Sequence, residues 1–235
     1  VIVPAYNERA TILPLLRLVR AQTVEDARFE IIVIDDGSSD GTGDLVAAHP
    51  ELCDRLIRLP RNRGKGGAVI EGLKAATGDY VLFQDADLEY DPADYARLLA
   101  PVIGFKADLV MGSRLAAPPV TRVFYFWHKV GNQLLTLLFN VLNNTTFTDI
   151  YSCYLLYRRE LVDPAGLRRT GWDQHAEILS RAVARAGAMY EVPISYHGRT
   201  YAEGKKIRAR HVLAVIRTIV VERIARPAAG PGRSS

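Results

Sequence analysis

Short apolar runs, rich in β-branched residues, recur along the chain and alternate with stretches of helical periodicity. The runs that predict buried strands in the first part of the chain are residues 1–4, 31–34 and 80–83. The first helical stretch has its apolar positions at Ile12, Leu15, Leu16 and Val19. Strands that alternate with helices in this way indicate βαβ units. We therefore expect an α/β fold with a mostly parallel central sheet flanked by helices.

The remaining periodicities predict strands at residues 152–157 and 190–196, and helices at 68–76, 172–186 and 208–225. Residues 122–143 are rich in aromatic and leucine side chains, but Lys129, Asn132 and Gln133 interrupt them, so a membrane-spanning helix is not expected. This segment could lie at a membrane surface, pack on the protein core or form a dimer face. The basic, amphipathic segment 208–226 has the same three alternatives.

Composition and charge limit the class of protein. With 235 residues, 49% of them hydrophobic and 24% charged, the chain is expected to form one domain over residues 1–226, followed by a flexible tail at 227–235. The net charge of +4 favours anionic substrates or surfaces and does not require nucleic acid. The two cysteines lack CxxC spacing, which favours free thiols, and we expect a cytoplasmic protein with at most peripheral membrane contact.

An acidic stretch at residues 84–89 follows the apolar run 80–83 directly. Asp85 and Asp87 are two residues apart, so in an extended chain both carboxylates would point to one side. Hard oxygen ligands of this kind suit Mg²⁺ or Mn²⁺ that also binds substrate phosphates. The alternative is an acidic turn exposed to water.

Polar clusters follow the apolar runs that end near residues 3, 34 and 83. Because ligands bind beyond the carboxyl ends of the strands in parallel sheets, these clusters are expected to converge on one crevice. The glycine-rich loop 62–67 precedes a helix and could bring backbone amides close to a phosphate, although its spacing is not that of a Walker loop. The alternative is a plain glycine turn with a solvated Lys65.

Four of these motifs occur in an order that resembles family 2 glycosyltransferases. They are VPAYNE at 3–8, IDDGSSDGT at 34–42, NRGKG at 62–66 and DAD at 85–87. Residues 112–114, 149–152, 191–194 and 199–207 resemble the polyprenyl-phosphate (dolichol-phosphate) mannosyl- or glucosyltransferase branch of that family. The resemblance implies a GT-A type nucleotide-sugar-binding fold.

The resemblance also implies roles for individual residues. The implied nucleotide-sugar-binding residues are Pro4, Ala5, Tyr6, Glu8, Asp36, Lys65, Asp85, Ala86 and Asp87. The implied ligands of Mg²⁺ or Mn²⁺ are Asp85, Asp87 and Glu89, where Glu89 occupies a position at which relatives often have Gln. The implied catalytic residues are Asp85, Asp87 and Arg114. The implied acceptor-phosphate-binding residues are Arg114, Arg199, Lys205 and Lys206.

The activity that the resemblance implies is metal-dependent, inverting transfer of a hexose from a GDP-mannose or UDP-glucose type of donor to a polyprenyl phosphate. An acceptor phosphate has a second pKa of about 6 and needs cations to position it but no general base. An acceptor hydroxyl on a soluble metabolite or glycan would instead need a carboxylate, for which the candidates are Asp149, Asp173 and Glu177. A non-catalytic nucleotide-binding protein is a further alternative, and a homodimer is left open. His175, His197 and His211 lack metal-site spacing and are expected to be ordinary polar residues.

Overall fold

Seven strands and seven α-helices are found in the part of the chain that the computed structural model describes, residues 1–116, 126–198 and 210–225. Of Arg210 and His211 only the backbone belongs to this part. The strands are β1 (Ile2–Ala5), β2 (Ile32–Asp35), β3 (Arg55–Arg58), β4 (Tyr80–Leu82), β5 (Leu109–Ser113), β6 (Leu155–Arg158) and β7 (Met189–Pro193). The helices are α1 (Ile12–Arg20), α2 (Thr42–Ala47), α3 (Lys65–Ala75), α4 (Tyr95–Phe105), α5 (Phe126–Asn143), α6 (Gln174–Arg185) and α7 (Arg210–Ile224).

The strands lie in the order β3-β2-β1-β4-β6-β5-β7. Strands β1, β2 and β3 are parallel, and a parallel bridge between Ile2 and Phe83 joins them to β4. Strand β6 runs antiparallel to both β4 and β5, and β7 is parallel to β5. The expected mostly parallel α/β sheet is therefore confirmed. The carboxyl ends of all strands except β6 lie at one edge of the sheet, and the amino end of β6 lies there too.

The apolar periodicity of the first helix corresponds to its buried face. All four predicted positions of α1 are fully buried in the core. Helix α3 approaches the sheet closely at Gly72, where a Cβ atom would come within 2.6 Å of the Ile2 side chain. A larger residue at Gly72 would push the helix away from the sheet. These helices therefore fix the positions of the loops that follow β1 and precede α3.

Three predicted boundaries differ from the observed ones by three residues each. The strand expected at 152–157 begins only at Leu155, because the residues before it form a loop in which the Cys153 N–H donates to the Tyr90 hydroxyl at 3.0 Å. The helix expected from residue 68 begins at Lys65, directly after Gly64 with its φ of 82°. The strand expected at 190–196 ends at Pro193, and Tyr196 forms an isolated bridge with Tyr90.

Helix α5 accounts for most of the segment predicted at 122–143. Leu135, Thr136 and Phe139 are buried on its inner face. Across the described ranges, no helix has both the length and the apolarity that a membrane crossing requires. The expected tail at 227–235 lies outside the described residues, and the single-domain expectation stays a prediction.

Candidate active site

A cavity of about 380 Å³ opens at the edge of the sheet where the strand ends meet. Every residue with an implied role that falls in the described ranges lines this cavity: Pro4, Ala5, Tyr6, Glu8, Asp36, Lys65, Asp85, Ala86, Asp87, Glu89 and Arg114. Its size is in the range of small-molecule sites. Arg199, Lys205 and Lys206 lie outside the described residues, so their roles stay predictions. The expected convergence of the loops after β1, β2 and β4 is thus observed.

The loops after β1 and β2 hold each other in place. The Asn7 N–H donates to the Ser38 hydroxyl at 3.0 Å, and the Ser39 N–H donates to the Asn7 side-chain oxygen at 2.9 Å. The Glu8 N–H donates to the Thr42 hydroxyl at 3.0 Å. These bonds set the wall of the cavity that Tyr6 and Glu8 form.

Asp36, directly after β2, is buried beside the loop that precedes α3. Its Oδ1 accepts a hydrogen bond from the Arg63 N–H at 2.7 Å. Burial raises the pKa of Asp36 above its usual value, although the bonds from the Arg63 backbone oppose this. Asp36 therefore anchors the loop at 62–67 to the end of β2.

The glycines at the start of α3 pack against backbone from another part of the chain. The Gly66 N–H donates to the Thr170 carbonyl at 2.9 Å. A Cβ atom at Gly66 would come within 2.6 Å of the Arg169 carbonyl oxygen, and one at Gly64 within 2.6 Å of the Thr170 carbonyl oxygen. The Gly66 N–H is thus already hydrogen-bonded within the protein, so it does not support the expected contact between this loop and a phosphate. Close packing is the physical reason for these glycines.

Lys65 extends from the start of α3 into the cavity. Its Nζ lies 2.5 Å from Asp85 Oδ1 and 5.7 Å from the centre of the Trp172 ring. Burial alone would lower the pKa of Lys65, but the Asp85 carboxylate more than offsets this and the pKa is raised. The lysine is therefore a fixed positive charge beside the acidic residues, and the solvated alternative does not apply.

Asp85 directly precedes a turn that contains Asp87, so the two residues do not lie in one extended strand and the expected extended-chain geometry is not observed. The turn passes through Leu88, which has a φ of 61°. The buried Gln84 tethers its start, because the Gln84 amide nitrogen donates to the Asp85 carbonyl at 3.1 Å. The hydroxyls of Tyr95 and Tyr154 both donate to Gln84 Oε1 at 2.8 Å. A rigid polar network thus presents both carboxylates to the cavity.

The described residues contain no cluster of three His, Cys, Asp or Glu side chains that is ready to hold a metal ion. Glu89 lines the same cavity, but its Oε2 accepts a bond from the Tyr196 hydroxyl at 2.5 Å. Asp85 and Asp87 nevertheless fit Mg²⁺ or Mn²⁺, which commonly bind one or two carboxylates and complete their shell with water and substrate phosphates. The structure does not assemble the expected three-carboxylate site, and Glu89 as a ligand stays a prediction.

Arg114 enters the cavity from the end of β5, paired with a buried carboxylate. Its Nε and Nη2 donate to the two oxygens of Asp149 at 2.7 and 2.9 Å, and its guanidinium lies 5.0 Å from the centre of the Tyr196 ring. Burial alone would raise the pKa of Asp149, but Arg114 and the Asn132 amide hold it below the usual value. This bidentate pair uses two of the five guanidinium N–H groups and orients the rest.

None of the three candidate general bases lines the cavity. Asp149 is fully buried and bonded to Arg114. Glu177 is buried and accepts bonds from two backbone N–H groups, of Arg168 and Arg169, and from the Arg181 guanidinium. Asp173 accepts a bond from the Thr218 hydroxyl at 2.9 Å. All three carboxylates therefore have structural partners.

Several cavity residues were not expected from the sequence. They are Tyr90, Tyr151, Trp172, His175 and Tyr196. Tyr151 lies in the stretch 149–152 that resembles the polyprenyl-phosphate branch, but the resemblance gave it no role. It precedes β6, the antiparallel strand whose amino end reaches the cavity edge. Tyr196 follows β7 and obeys the rule for parallel strands. His175 was expected to be an ordinary polar residue, yet it lines the cavity.

The pKa of His175 is shifted far from its ordinary value. Burial, together with the positive charge of Lys65, lowers its pKa to about 4. Its Nε2 is buried and has no hydrogen-bond partner in the described part of the chain. The imidazole is therefore neutral at pH 7 and offers the cavity wall an uncharged ring.

We expect His175 to make the folded protein less stable in mild acid. Because its folded pKa lies below the ordinary 6.5, the unfolded chain takes up a proton first, and the free energy of unfolding falls as pH drops from about 6.5 towards 4. Between pH 7 and pH 5, this effect lowers the free energy of unfolding by at most about 2 kcal/mol. Urea unfolding of the wild type and His175→Gln at both pH values measures the difference, and the exposed His197→Gln is the control. An equal pH dependence in wild type and His175→Gln would contradict the assignment.

Comparison with known proteins identifies relatives of the chain. The sequence model described as Glycosyl transferase family 2 matches residues 1–164. The low-salt glycan biosynthesis hexosyltransferase Agl6 of Haloferax volcanii is 29% identical over 200 residues, which are 85% of this chain and 48% of that protein. The undecaprenyl-phosphate 4-deoxy-4-formamido-L-arabinose transferases of Pseudomonas syringae and Salmonella paratyphi A are 32% and 30% identical, over 69% and 87% of this chain. The matches span 48% and 61% of those two proteins, so this chain covers only about half the length of these relatives.

Solved structures share the fold. Glucosyl-3-phosphoglycerate synthase from Mycobacterium tuberculosis, in complex with phosphoglyceric acid, superposes with a TM-score of 0.68 at 24% identity, over 97% of this chain and 80% of that one. The same enzyme with Mn²⁺, UDP-glucose and glycerol 3-phosphate gives a TM-score of 0.67 at 23% identity, with the same coverage of both chains. At this identity the likeness establishes the architecture only.

Proposed function

The chain belongs to glycosyl transferase family 2, and we propose that its cavity transfers a hexose from a nucleotide-sugar to a polyprenyl phosphate with inversion at the anomeric carbon. A peripheral position on the cytoplasmic face of a membrane completes the proposal. The buried free thiols of Cys53 and Cys153 are consistent with a reducing compartment.

The donor proposal rests on the family and on the charges around the cavity. The nucleotide would lie along Pro4, Tyr6 and Asp36, with its diphosphate near Lys65 and the acidic turn. Asp85 and Asp87 would hold Mg²⁺ or Mn²⁺, which when bound offsets the charge that develops on the leaving diphosphate. Lys65 contributes a positive charge at a fixed place, which stabilises developing negative charge better than mobile solvent does.

The observation that carries the acceptor proposal is the contrast between Arg114 and the three candidate bases. Arg114 lines the cavity and its pair with Asp149 uses two of its five N–H groups, whereas Asp149, Asp173 and Glu177 do not line it. A phosphate oxygen is already ionised and attacks the anomeric carbon directly, while the bond to the leaving diphosphate breaks. Arg114 would hold that phosphate in line. The names of two relatives, undecaprenyl-phosphate transferases, support this acceptor class.

The second candidate is transfer to a hydroxyl group of a soluble metabolite. It is motivated by the name of the structural neighbour, a glucosyl-3-phosphoglycerate synthase solved in complex with phosphoglyceric acid. A non-catalytic nucleotide-binding protein is the weakest alternative. Binding alone does not require Asp85, Asp87, Lys65 and Arg114 to share one cavity.

We expect labelled hexose to pass from one donor of a nucleotide-sugar panel, with Mn²⁺ or Mg²⁺ present, to a short polyprenyl phosphate. GDP-mannose and UDP-glucose are the first donors to compare, and phosphoglyceric acid is the parallel acceptor. Extracted lipid-linked label, lost on chelation of the metal, is the predicted result. If label appears only on phosphoglyceric acid, the acceptor is a soluble metabolite and not a lipid. If no donor binds, the enzyme assignment is contradicted.

A further inference from the structure

Helix α5 presents an apolar stripe to solvent. Five apolar residues recur at intervals of three and four along its outer side: Trp127, Val130, Leu134, Leu137 and Val141. Trp127 and Val141 are 76% and 72% exposed, Leu134 and Leu137 are 62% and 58% exposed, and Val130 is half-buried. We call these five residues the outer α5 stripe. A helix that is apolar outside as well as inside needs a partner on its outer side.

Packing within the protein already accounts for the opposite side of this helix. Leu135 and Phe139 are buried in the core. The Asn132 amide donates to Asp149 Oδ1 at 2.8 Å, and Asp149 holds Arg114. The inner side of α5 is thus two side chains away from the cavity cation that would bind the acceptor phosphate. The outer α5 stripe lies outside the hydrophobic core that the described residues form.

Helix α7 packs against α5 and α6 and adds to the exposed apolar surface. Its Val215 and Ile219 are buried, whereas Leu213 and Ile224 are exposed. The Arg223 Nε donates to the Leu142 carbonyl at 2.6 Å and links the end of α7 to the end of α5. The two helices therefore form one packed unit with apolar residues on the surface.

The charges of this unit are almost all positive. Helix α5 contains no acidic residue, and its one lysine, Lys129, is exposed. Helix α7 carries exposed Arg217 and Arg223. Its single carboxylate, Glu222, is paired with Arg181 at 3.0 Å. An apolar stripe on helices with surplus cations is complementary to a surface of apolar tails and anionic headgroups.

A second copy of the chain is a poorer match to this surface. In a symmetric dimer through these helices, Lys129, Arg217 and Arg223 would meet the same cations of the partner. The two helices have no unpaired carboxylate to neutralise them. Repulsion between like charges disfavours such an interface.

We propose that the outer α5 stripe docks on the surface of a bilayer that contains anionic lipid, with Trp127 at headgroup depth. The inference deepens the proposed function and rests on it, because docking would bring Arg114 close to the phosphate of a membrane-embedded acceptor. Aromatic side chains favour this interfacial depth, and neighbouring cations add attraction to anionic headgroups.

The test is co-sedimentation of the full chain with vesicles of phosphatidylcholine, alone or mixed with phosphatidylglycerol. We expect binding to the mixed vesicles that weakens with salt. The variant Trp127→Gln with Leu137→Gln is expected to lower the bound fraction at least tenfold. Leu18→Gln with Ile103→Gln, which removes exposed apolar side chains from α1 and α4, is the matched control and is expected to bind like the wild type.

Two results would overturn the proposal. One is equal vesicle binding by the wild type and the α5 variant. The other is a wild type that does not bind vesicles but sediments as a dimer, while the α5 variant sediments as a monomer. That result would show that the outer α5 stripe binds a second copy of the chain. Transfer to a short, detergent-dispersed acceptor tests the proposed function independently of docking, because that acceptor is not embedded in a membrane. The α5 variant is expected to keep that activity and to lose only transfer to an acceptor embedded in vesicles.

Discussion

Replacement of Asp87 by Asn is expected to lower kcat by about 10³-fold or more while the fold is retained. The amide is isosteric, and its oxygen can still accept the bond that the Glu89 N–H donates to Asp87 Oδ1 at 3.1 Å. What is lost is the charge proposed to bind the metal on the donor diphosphate. Metal stabilisation of a leaving group contributes several kcal/mol, and each 1.4 kcal/mol is a factor of ten in rate.

The control for this variant is Asp79→Asn, which removes an exposed carboxylate next to the opposite end of β4. It should leave turnover and its metal dependence unchanged. Steady-state transfer over a titration of Mn²⁺, together with circular dichroism, separates loss of chemistry from loss of fold. Turnover of Asp87→Asn at the wild-type rate under controlled metal would remove the metal assignment.

Replacement of Asp149 by Ala is expected to cost about 3–5 kcal/mol of unfolding free energy, because it leaves a guanidinium in the protein interior without its partner. Both oxygens of Asp149 bond to Arg114, and the carboxylate is fully buried. Activity should fall as well, since Arg114 loses the contact that fixes its orientation in the cavity. Urea unfolding measures the stability and acceptor KM measures the orientation.

Two further variants isolate the cause of that loss. Glu71→Ala breaks the exposed pair with Arg63 at 2.9 Å and should cost no more than about 1 kcal/mol. Arg114→Met combined with Asp149→Leu removes both buried charges, and we expect it to regain much of the stability but none of the activity. A loss below about 1 kcal/mol in Asp149→Ala would show that Arg114 does not depend on this carboxylate.

The sequence was sufficient to predict the strand ends that build the cavity. The apolar runs before Ala5, Asp36 and Asp85 locate β1, β2 and β4, and the rule for parallel strands places the residues that follow them at one edge. The described residues to which the family resemblance assigned roles do line one cavity. Their roles in binding and catalysis stay predictions.

Other features depend on contacts between distant parts of the chain, which local patterns do not contain. The glycine loop resembles a phosphate-binding loop, but Gly66 is required because the backbone at Thr170 packs against it. Asp149 had the residue type of a general base, and only the fold shows that Arg114 occupies it. His175 carried no signal in its spacing, because its position in the cavity wall depends on how α6 packs.

The identity of the acceptor atom tests the proposed reaction most directly. Transfer would be measured from the same labelled nucleotide-sugar, with Mn²⁺, to a short polyprenyl phosphate and to the polyprenol of the same length. We expect label on the phosphate alone, because Arg114 lines the cavity and none of the three candidate bases does. Equal or preferential transfer to the polyprenol would contradict it and would require a general base among the carboxylates that line the cavity.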